Sequence, residues 1–256
     1  MLLTIDIGNT NIVFGVYHKS IWLNHWRIQT DSLKTADEYE VIFRSLINSG
    51  QTEHTAISQI ILSSVVPSLL HPFNEMLKGL FREARITIIT PDIYKYLPVK
   101  VLNPYEIGSD LVANSVAAYQ KYGKLTMVID FGTALTFTTI GADSEIRGVA
   151  IAPGLGTAVN ALAGKTAQLP QIHLSPPPSV LGENTIHAIQ SGVVLGFTGL
   201  VESIVTRTEK ELKHKLTVVA TGGLSSVITP LTTCIDRTEP MLTLEGLVII
   251  NNFITQ

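Results

Sequence analysis

Two short apolar runs each end in an aspartate, followed by one apolar residue, a glycine and a small polar residue. The first is Leu3–Thr10 and the second is Met127–Ala134. A second β-rich run follows each, from Asn11 to Tyr17 and from Leu135 to Ile140, which predicts a strand, a tight glycine turn and a returning strand. Because the pattern occurs once in each half, it indicates a duplicated unit whose two acidic hairpin tips face a shared cleft.

The spacing of apolar and polar positions predicts the order βββαβαβ for the first half of the chain. Its first helix is expected to follow Thr35, where the sequence has the spacing of a capping box. The other elements predicted here are strands at Leu2–Ile7, Thr10–Tyr17, Ile21–Ile28, Gln59–Ser64 and Arg85–Thr90, and helices at Ser68–Phe81 and Ser109–Tyr122.

The pattern then restarts, which predicts two domains, 1–115 and 116–256. The second-half elements are strands at Leu125–Ile129, Leu135–Ile140, Ile146–Ile151 and Leu216–Ala220, and helices at Leu155–Leu169, from Asn184 toward Lys213, and at Leu242–Phe253. A stiff loop is expected over Gln171–Gly182, because it contains three consecutive prolines. We expect Gly192, Gly196 and Gly199 to let the long helix pack closely.

Composition narrows the possible classes of protein. The chain has 256 residues, 45% of them hydrophobic and 15% charged, which is typical of a globular protein with a real core. The net charge of −3 and the lack of a basic run argue against a nucleic-acid partner. Cys234 is the only cysteine, and we see neither a secretion signal nor an apolar run long enough to span a membrane. We therefore expect a cytoplasmic location.

The first hairpin tip has the residue types of a nucleotide triphosphate site. Gly8 lets the backbone approach phosphate oxygens, Asn9 and Thr10 add donors, and Asp6 can hold a hydrated Mg²⁺. Taken alone, the same residues are better explained as an ordinary turn. The matching tip at Asp130–Thr133 reverses that preference, because a fortuitous turn need not recur at the same point of a repeated unit.

Three further stretches carry residue types used in catalysis. Thr221-Gly222-Gly223 could let adenine and ribose lie against the backbone, although a plain connection after a strand explains it better. Gly164-Lys165-Thr166 is not a P-loop, because the glycine required five residues earlier is Val159. In Gly108-Ser109-Asp110, the aspartate could accept a proton from an attacking hydroxyl. An acidic residue also suits a helix N-terminus, whose dipole should lower its pKa, and local sequence alone favours that explanation.

Together these motifs resemble those of the type III pantothenate kinases, a family in the superfamily of acetate kinase, sugar kinases, Hsp70 and actin. The stretch Asp6–Thr10 is similar to the family's first phosphate motif and Asp130–Ala134 to its second. Further matches in family order are Asn103-Pro104, Glu106, Gly108, Asp110, Gly148, Pro153-Gly154, Asn184-Thr185, Ser191-Gly192, Thr221-Gly222-Gly223 and Leu242–Leu247. The resemblance runs from Met1 to the C-terminus.

This resemblance implies a fold and an activity. The fold is α/β, with duplicated ribonuclease H-like (actin-like ATPase) domains, each a mixed five-stranded sheet flanked by helices. The activity is ATP-dependent phosphorylation of (R)-pantothenate to 4′-phosphopantothenate, the first step of coenzyme A biosynthesis. The resemblance further implies a homodimer that uses Mg²⁺ and a monovalent cation, K⁺ or NH₄⁺.

The resemblance also implies roles for individual residues. Asp110 would be the general base, Asp130 would help bind the monovalent cation, and Asp6 would lie at the Mg²⁺ end of the triphosphate. The residues expected to contact ATP are Asp6, Ile7, Gly8, Asn9, Thr10, Asn11, Ile12, Val13, Thr133 and Gly222. The residues expected to contact pantothenate are Gly108, Ser109, Asp110, Leu111 and Thr185.

Two positions depart from the family pattern. Leu111 stands where the family has an arginine, and Val101 where it usually has a tyrosine that contacts the substrate. Leucine cannot supply the fixed cationic fork of arginine, so the substrate or its affinity could differ. Two alternatives therefore stay open: another small-molecule kinase of the same fold, for a sugar or a carboxylate, and a non-catalytic ATP-binding accessory or regulatory protein. Screening pantothenate, sugars and acetate for ADP release separates them.

Overall fold

Two parts of the chain each fold around a five-stranded sheet of their own. The computed structural model describes residues 1–50, 54–165 and 169–255. The first unit contains Met1–Ala117 together with Leu242–Gln256, and the second contains Ala118–Met241. The predicted boundary at 115/116 lies close to the first division, but the final helix, predicted for the second domain, is part of the first unit.

The elements follow the predicted order closely. The strands are β1 (Leu2–Ile7), β2 (Asn11–His18), β3 (Ile21–Gln29), β4 (Gln59–Ser64), β5 (Arg85–Ile88), β6 (Thr126–Phe131), β7 (Ala134–Ile140), β8 (Ile146–Pro153), β9 (Thr217–Thr221) and β10 (Arg237–Thr238). The helices are α1 (Ala36–Ser49), α2 (Pro67–Leu80), α3 (Ser109–Tyr122), α4 (Leu155–Lys165), α5 (Thr185–Gln190), α6 (Gly196–Leu212), α7 (Ser225–Ile228) and α8 (Leu242–Thr255). A π-helical segment, Ser191–Leu195, joins α5 to α6.

The two sheets have the same arrangement. The first has the strand order β3-β2-β1-β4-β5, and the second has the order β10-β9-β6-β7-β8. In the first sheet β1 is antiparallel to β2 and parallel to β4, and in the second β6 is antiparallel to β7 and parallel to β9. This pattern confirms the predicted fold class, two mixed five-stranded sheets flanked by helices. It also places the two acidic motifs on equivalent central strands.

Aromatic packing joins the first sheet to its helices. The predicted capping box at the start of α1 is present, with the Thr35 backbone N–H donating to the Glu38 carboxylate at 2.8 Å. The buried face of α1 then presents Phe43, whose ring stacks on Phe14 of β2 with centroids 4.0 Å apart and meets Phe73 of α2 edge-on at 5.7 Å. Aromatic side chains of this size bury a large apolar area, and they therefore contribute strongly to the stability of this core.

The long helical stretch Thr185–Leu212 packs along one face. Val194, Val201 and Val205 are buried in the core of the second unit. By length and average hydropathy this stretch could cross a membrane, which the sequence analysis did not anticipate. A helix in a protein core meets the same criteria of length and hydropathy. The buried valines show that the apolar residues of this stretch pack in the core of the second unit.

The expectation that Gly192, Gly196 and Gly199 allow close packing is wrong. A methyl group added at any of the three would meet no atom within 4 Å. These glycines lie on the exposed side of the helix, away from the buried valines. These three glycines therefore do not bring the helix into close contact with another described element.

The described part of α4 runs from Leu155 to Lys165, and Leu169, its predicted last residue, is not helical. The intervening positions 166–168 lie outside the described residues, and they include the third residue of Gly164-Lys165-Thr166. Gly164 belongs to the helix itself. A P-loop needs its glycines between a strand and a helix, so the helical position supports the rejection of that motif.

The final helix, α8, packs within the first unit because its surface complements α3 and β4. Gly246 lies so close to α3 that an added methyl group would collide with the carbonyl oxygen of Ala113. The Asn251 side chain donates to Gln59 Oε1 at 3.1 Å, and Thr243 donates to Asn114 Oδ1 at 2.8 Å. Sequence periodicity identified the helix but could not show which sheet it covers.

We expect Gly246→Ala to lower the free energy of unfolding, by about 1–3 kcal/mol, because the added methyl group must displace the backbone of α3. The matched control is Gly199→Ala, an exposed helical glycine with open space, which should raise stability by up to about 1 kcal/mol through helix propensity. Urea unfolding of both variants and the wild type measures whether the free energy of unfolding falls in Gly246→Ala and rises in Gly199→Ala. Equal effects would show that α8 does not pack as described.

Candidate active site

The first hairpin tip is a tight turn between β1 and β2. The Gly8 backbone N–H donates to the Asn11 carbonyl at 3.0 Å, which closes the turn. From β3's side, the Thr30 hydroxyl donates to the Gly8 carbonyl at 2.6 Å. The residues at the tip itself, Asn9, Thr10 and Asn11, are exposed. Hydrogen bonds to the Gly8 backbone thus fix the turn, and the residues at its tip face solvent.

In the predicted nucleotide-binding stretch, residues 6–13, only some side chains are exposed to solvent. Ile7 and Ile12 are fully buried in the core of the first unit, so a ligand could meet only their backbone atoms. Val13 is partly buried. Asp6 lies between buried neighbours on β1, and the alternation of the strand turns its carboxylate to the other face of the sheet.

Asp6 is hydrogen-bonded to a residue that the sequence analysis missed. In the parallel pairing of β1 with β4, Asp6 lies opposite Ser63. The Ser63 hydroxyl donates to Asp6 Oδ1 at 2.9 Å and also lies 2.9 Å from the hydroxyl of Ser109, the first residue of α3. The signal in the sequence was a serine pair, Ser63-Ser64, at the end of an otherwise apolar strand. The structure therefore brings Asp6 and the start of α3 together.

Asp110 lies in the first turn of α3 in a partly buried position. Its Oδ1 accepts a hydrogen bond from the Leu111 backbone N–H at 2.8 Å. Burial raises the pKa of the Asp110 carboxyl above its usual range, although the backbone N–H groups act to lower it. The expectation that the helix terminus lowers this pKa is therefore wrong, because loss of solvent outweighs it. A raised pKa favours the role of proton acceptor.

Tyr94 is a second group near Asp110. Burial, together with the negative charge of Asp110, raises the pKa of the Tyr94 hydroxyl to about 12. Tyr94 lies in the short 3₁₀ helix Pro91–Tyr96 of the first unit. Gly108 also leaves room for Asp110, because a methyl group there would collide with Asp110 Oδ1. These neighbours restrict the positions open to the carboxylate.

The second hairpin tip joins β6 to β7 and is supported by α4. The Thr133 carbonyl accepts from the Gly154 backbone N–H at 3.0 Å and from the Thr157 hydroxyl at 2.7 Å. Gly154 lies against this turn, where an added methyl group would lie 2.6 Å from the Thr133 carbonyl oxygen. Neither Gly154 nor Thr157 was predicted to support the turn, although Gly154 was matched to the family by its position.

The glycine turn after β9 lies against the same tip. β9 pairs with β6 so that Thr221 lies opposite Asp130. The next residue, Gly222, has a φ of +87°, and a methyl group there would lie 2.6 Å from Asp130 Oδ1 and 2.7 Å from the Phe131 backbone. Only glycine combines this dihedral with this close approach. Asp130, Thr133 and Gly222, which the sequence analysis named separately, therefore belong to one group in the second unit.

Thr185, the remaining predicted substrate residue, is exposed at the first position of α5. Asn184 precedes it and caps the helix, since its side-chain oxygen accepts from the His187 backbone N–H at 2.9 Å. The predicted cap is therefore confirmed. It leaves the Thr185 hydroxyl at a helix N-terminus, where backbone N–H groups and the helix dipole favour an anionic ligand.

Comparison with known proteins identifies the family. Residues 2–207 match a family model described as type III pantothenate kinase. The chain belongs to the type III pantothenate kinase family. Two similar relatives, each named type III pantothenate kinase, come from Moorella thermoacetica (44% identical over 250 residues) and Roseiflexus sp. (46% over 252 residues), and each alignment covers 98% of both chains.

Solved structures with low sequence identity share the fold of this family member. One is a conserved Campylobacter jejuni protein described as a proposed transcriptional activator of the Baf family, with a TM-score of 0.62, 17% identity and 99% of this chain and 100% of that chain covered. Another is the activator of 2-hydroxyisocaproyl-CoA dehydratase from Clostridium difficile, with a TM-score of 0.54, 11% identity and coverage of 99% and 96%. At these identities the likeness concerns the fold alone.

The departure from the family pattern at Leu111 changes the character of the substrate segment. The Leu111 side chain is only 9% exposed, and its carbonyl accepts from the Ser115 hydroxyl at 2.7 Å. Val101 is partly buried. Both positions at which the sequence departs from the expected family pattern therefore carry apolar side chains.

The carboxylates at the two tips suit cations that are shared with phosphate. Within residues 1–50, 54–165 and 169–255, no three His, Cys, Asp or Glu side chains form a group that could hold a metal by themselves. Mg²⁺ in kinases is usually held by one or two carboxylates together with substrate phosphates and water. A single half-buried carboxylate beside a glycine turn, such as Asp6, has the donor chemistry for that arrangement.

Proposed function

We propose that this chain is a pantothenate kinase that transfers the γ-phosphoryl group of ATP to the primary hydroxyl of (R)-pantothenate. The observation that carries the proposal is the family match over residues 2–207, together with a relative 44% identical over nearly the whole chain. The position of Asp110 at the start of α3 supports it, because this residue has the burial and the raised pKa that suit a base. Both substrates are expected in the cytoplasm, the proposed location.

In the proposed reaction, the pantothenate hydroxyl oxygen forms a bond to the γ-phosphorus while the bond from that phosphorus to the bridging oxygen breaks. ADP takes the bonding electrons as it leaves, and the hydroxyl proton moves to the Asp110 carboxylate. Burial favours this transfer, since it makes the carboxylate a better proton acceptor than an exposed one. The Leu111 N–H, which donates to Asp110 Oδ1, holds that oxygen and leaves the other for the proton.

The two hairpin tips are proposed as the triphosphate-binding elements. Exposed donors at Asn9 and Thr10 suit phosphate oxygens, and Asp6 suits Mg²⁺, which when bound would neutralise part of the triphosphate charge. Thr133 and Gly222 are also proposed to contact ATP. Asp130, which lies against Gly222, is proposed as the ligand of K⁺ or NH₄⁺.

A second candidate function follows from the substrate segment. Leu111 is buried and apolar, so it cannot supply the cationic group that the family resemblance implies at this position. A kinase for another acceptor, such as a sugar or a carboxylate, is compatible with that change. A nucleotide-binding protein without an acceptor is the remaining possibility. ADP release in the presence of each acceptor distinguishes the three.

A homodimer is proposed because the edge strand β8 of the second sheet is apolar. After Arg147 its residues are Gly148, Val149, Ala150, Ile151, Ala152 and Pro153. Ile151 is 70% exposed, and it lies on the face opposite to Ala150 and Ala152, which pack on the core. An uncovered apolar edge invites aggregation, and a second copy of the chain would protect it. The edge strand β3 of the first sheet differs, because polar residues such as Asn24 and Arg27 interrupt it.

Asp110→Asn should lower turnover about 10²- to 10⁴-fold while nucleotide binding is retained, because the general base is lost. In the wild type, turnover should fall on acidification through a pKa above the ordinary value for aspartate, since only the ionised carboxylate accepts the proton. Steady-state assays of ADP release against pH measure both effects.

Asp37→Asn is the matched control, because Asp37 also lies in the first turn of a 14-residue helix but is exposed. It should keep wild-type turnover. Asp110→Asn should not melt at a lower temperature at pH 7, because the raised pKa means that the buried charge opposes folding there. Normal turnover in Asp110→Asn would remove this residue as the base.

Replacing K⁺ by Na⁺ in the assay should lower turnover severalfold, and Asp130→Asn should abolish the difference between the two salts. The reason is that Asp130 is the proposed ligand of the monovalent cation. Titration of K⁺ at fixed ionic strength measures the effect, with Asp37→Asn as the control. Full activity of the wild type without K⁺ or NH₄⁺ would contradict the assignment.

Ile151→Glu should convert a dimer into a monomer, because it places a charge on the proposed apolar interface. The control is Ile21→Glu, because Ile21 is also exposed, at 59%, but lies on β3, an edge strand of the first sheet. Light scattering after size-exclusion chromatography gives the mass of each. The interface is not at β8 if Ile151→Glu remains dimeric or if both variants dissociate alike.

A further inference from the structure

A chain of hydrogen bonds in the first unit links the acidic tip of β1 to the helix that carries Asp110. Ser63 is fully buried on β4, and its hydroxyl lies 2.9 Å from Asp6 Oδ1 and 2.9 Å from the Ser109 hydroxyl. Ser109 is itself buried, and its hydroxyl donates to the Ser64 carbonyl at 3.3 Å. The three side chains come from β1, β4 and α3, so this contact joins elements that are distant in sequence.

The direction of the chain follows from the number of protons. Each serine hydroxyl has one proton to donate, whereas an ionised carboxylate can only accept. Ser63 uses its proton toward Asp6, so the Ser109 hydroxyl is the donor in the contact between the two serines. It also donates to the Ser64 carbonyl at 3.3 Å, so its proton is shared between the two acceptors. The chain therefore runs from Ser109 through Ser63 and ends on the carboxylate. Hydrogen bonds that end on a charge in a buried setting strengthen one another.

Packing alone does not account for a serine at this position. Ile61 lies two residues earlier on the same face of β4 and is fully buried. A hydroxyl among such neighbours costs free energy unless it is hydrogen-bonded. Ser63 is the residue of β4 that pairs with Asp6 of β1, and its hydroxyl is hydrogen-bonded to both Asp6 and Ser109.

We propose that Ser63 is a positioning residue for phosphoryl transfer, holding the Asp6 carboxylate and the first turn of α3 in one hydrogen-bonded unit. This inference rests on the proposed function of Asp6 toward Mg²⁺ and of Asp110 toward the acceptor hydroxyl. Without Ser63, Asp6 loses one hydrogen-bond donor, and Ser109 loses its link to Asp6 while keeping the Ser64 carbonyl as a partner. A group that orients a metal-binding carboxylate changes metal affinity or activity by about 10- to 100-fold when removed.

The test compares Ser63→Ala with Ser115→Ala. Ser115 is also fully buried in the first unit, but its hydroxyl donates to a backbone carbonyl, that of Leu111, and not to Asp6. Binding of the non-hydrolysable analogue β,γ-imido-ATP is measured by calorimetry for the wild type and both variants, with Mg²⁺ and with EDTA. Melting temperatures are recorded for all three proteins.

With Mg²⁺, Ser63→Ala should bind the analogue about tenfold more weakly than the wild type, whereas in EDTA the two should bind alike. Ser115→Ala should match the wild type under both conditions. Equal binding by Ser63→Ala and the wild type in Mg²⁺, or an equal loss in EDTA, would overturn the proposal. A merely structural role changes stability without any dependence on Mg²⁺.

Activity gives a second readout. Ser63→Ala should lower turnover about 10- to 100-fold, and Ser63→Thr, which keeps the hydroxyl, should recover most of it even if the added methyl group lowers the melting temperature. Equally low turnover in folded Thr and Ala variants would contradict the proposal. Should the Thr variant not fold, the Mg²⁺ dependence of Ser63→Ala decides. A wild type that binds MgATP but does not phosphorylate pantothenate would disprove the function alone, because the calorimetry needs no acceptor.

Discussion

The constraint on which both halves depend is the parallel pairing of an aspartate-bearing strand with the strand from a later crossover. β1 pairs with β4 so that Asp6 meets Ser63, and β6 pairs with β9 so that Asp130 meets Thr221. Parallel strands end at the same edge of a sheet, so each pairing gathers loops from distant parts of the chain beside one carboxylate. The antiparallel partner on the other side, β2 or β7, supplies the tight turn.

Each carboxylate is held in a different way. Asp6 is fixed by a side-chain donor, Ser63, whereas Gly222 allows the backbone to approach Asp130 closely. Asp110 shows a third arrangement, since burial raises its pKa in spite of its place at a helix N-terminus. At Asp110, burial therefore outweighs the backbone N–H donors that lower the pKa.

Periodicity predicted most of the fold, because apolar alternation marks strands whatever they pair with. The capping box at Thr35 and the hairpin at Gly8 were predictable for a local reason, since both depend on neighbours a few residues apart. The failures concern contacts across the fold. Sequence spacing could not show that α8 covers the first sheet or that Gly199 meets no neighbour, because both depend on tertiary packing.

The candidate site was predicted by residue type and only in part by geometry. Asp6, Asp110 and Asp130 stand out in the sequence because each lies two residues from a glycine, and two of them end an apolar run. Ser63 did not, because a serine at the end of a strand has no distinctive spacing and its partner Ser109 is far away along the chain. The direction of the Asp110 pKa shift also needed the structure, since burial is a property of the fold.

The return of α8 to the first unit affects the order in which the protein can be made. A ribosome releases the N-terminal strands first, but the helix that covers them, with Gly246 against α3 and Asn251 on Gln59, emerges only after the whole second unit. Since domains usually fold as units during synthesis, the second unit can finish while the first still waits for its closing helix. The earlier-made half of this chain would thus be the later one to mature.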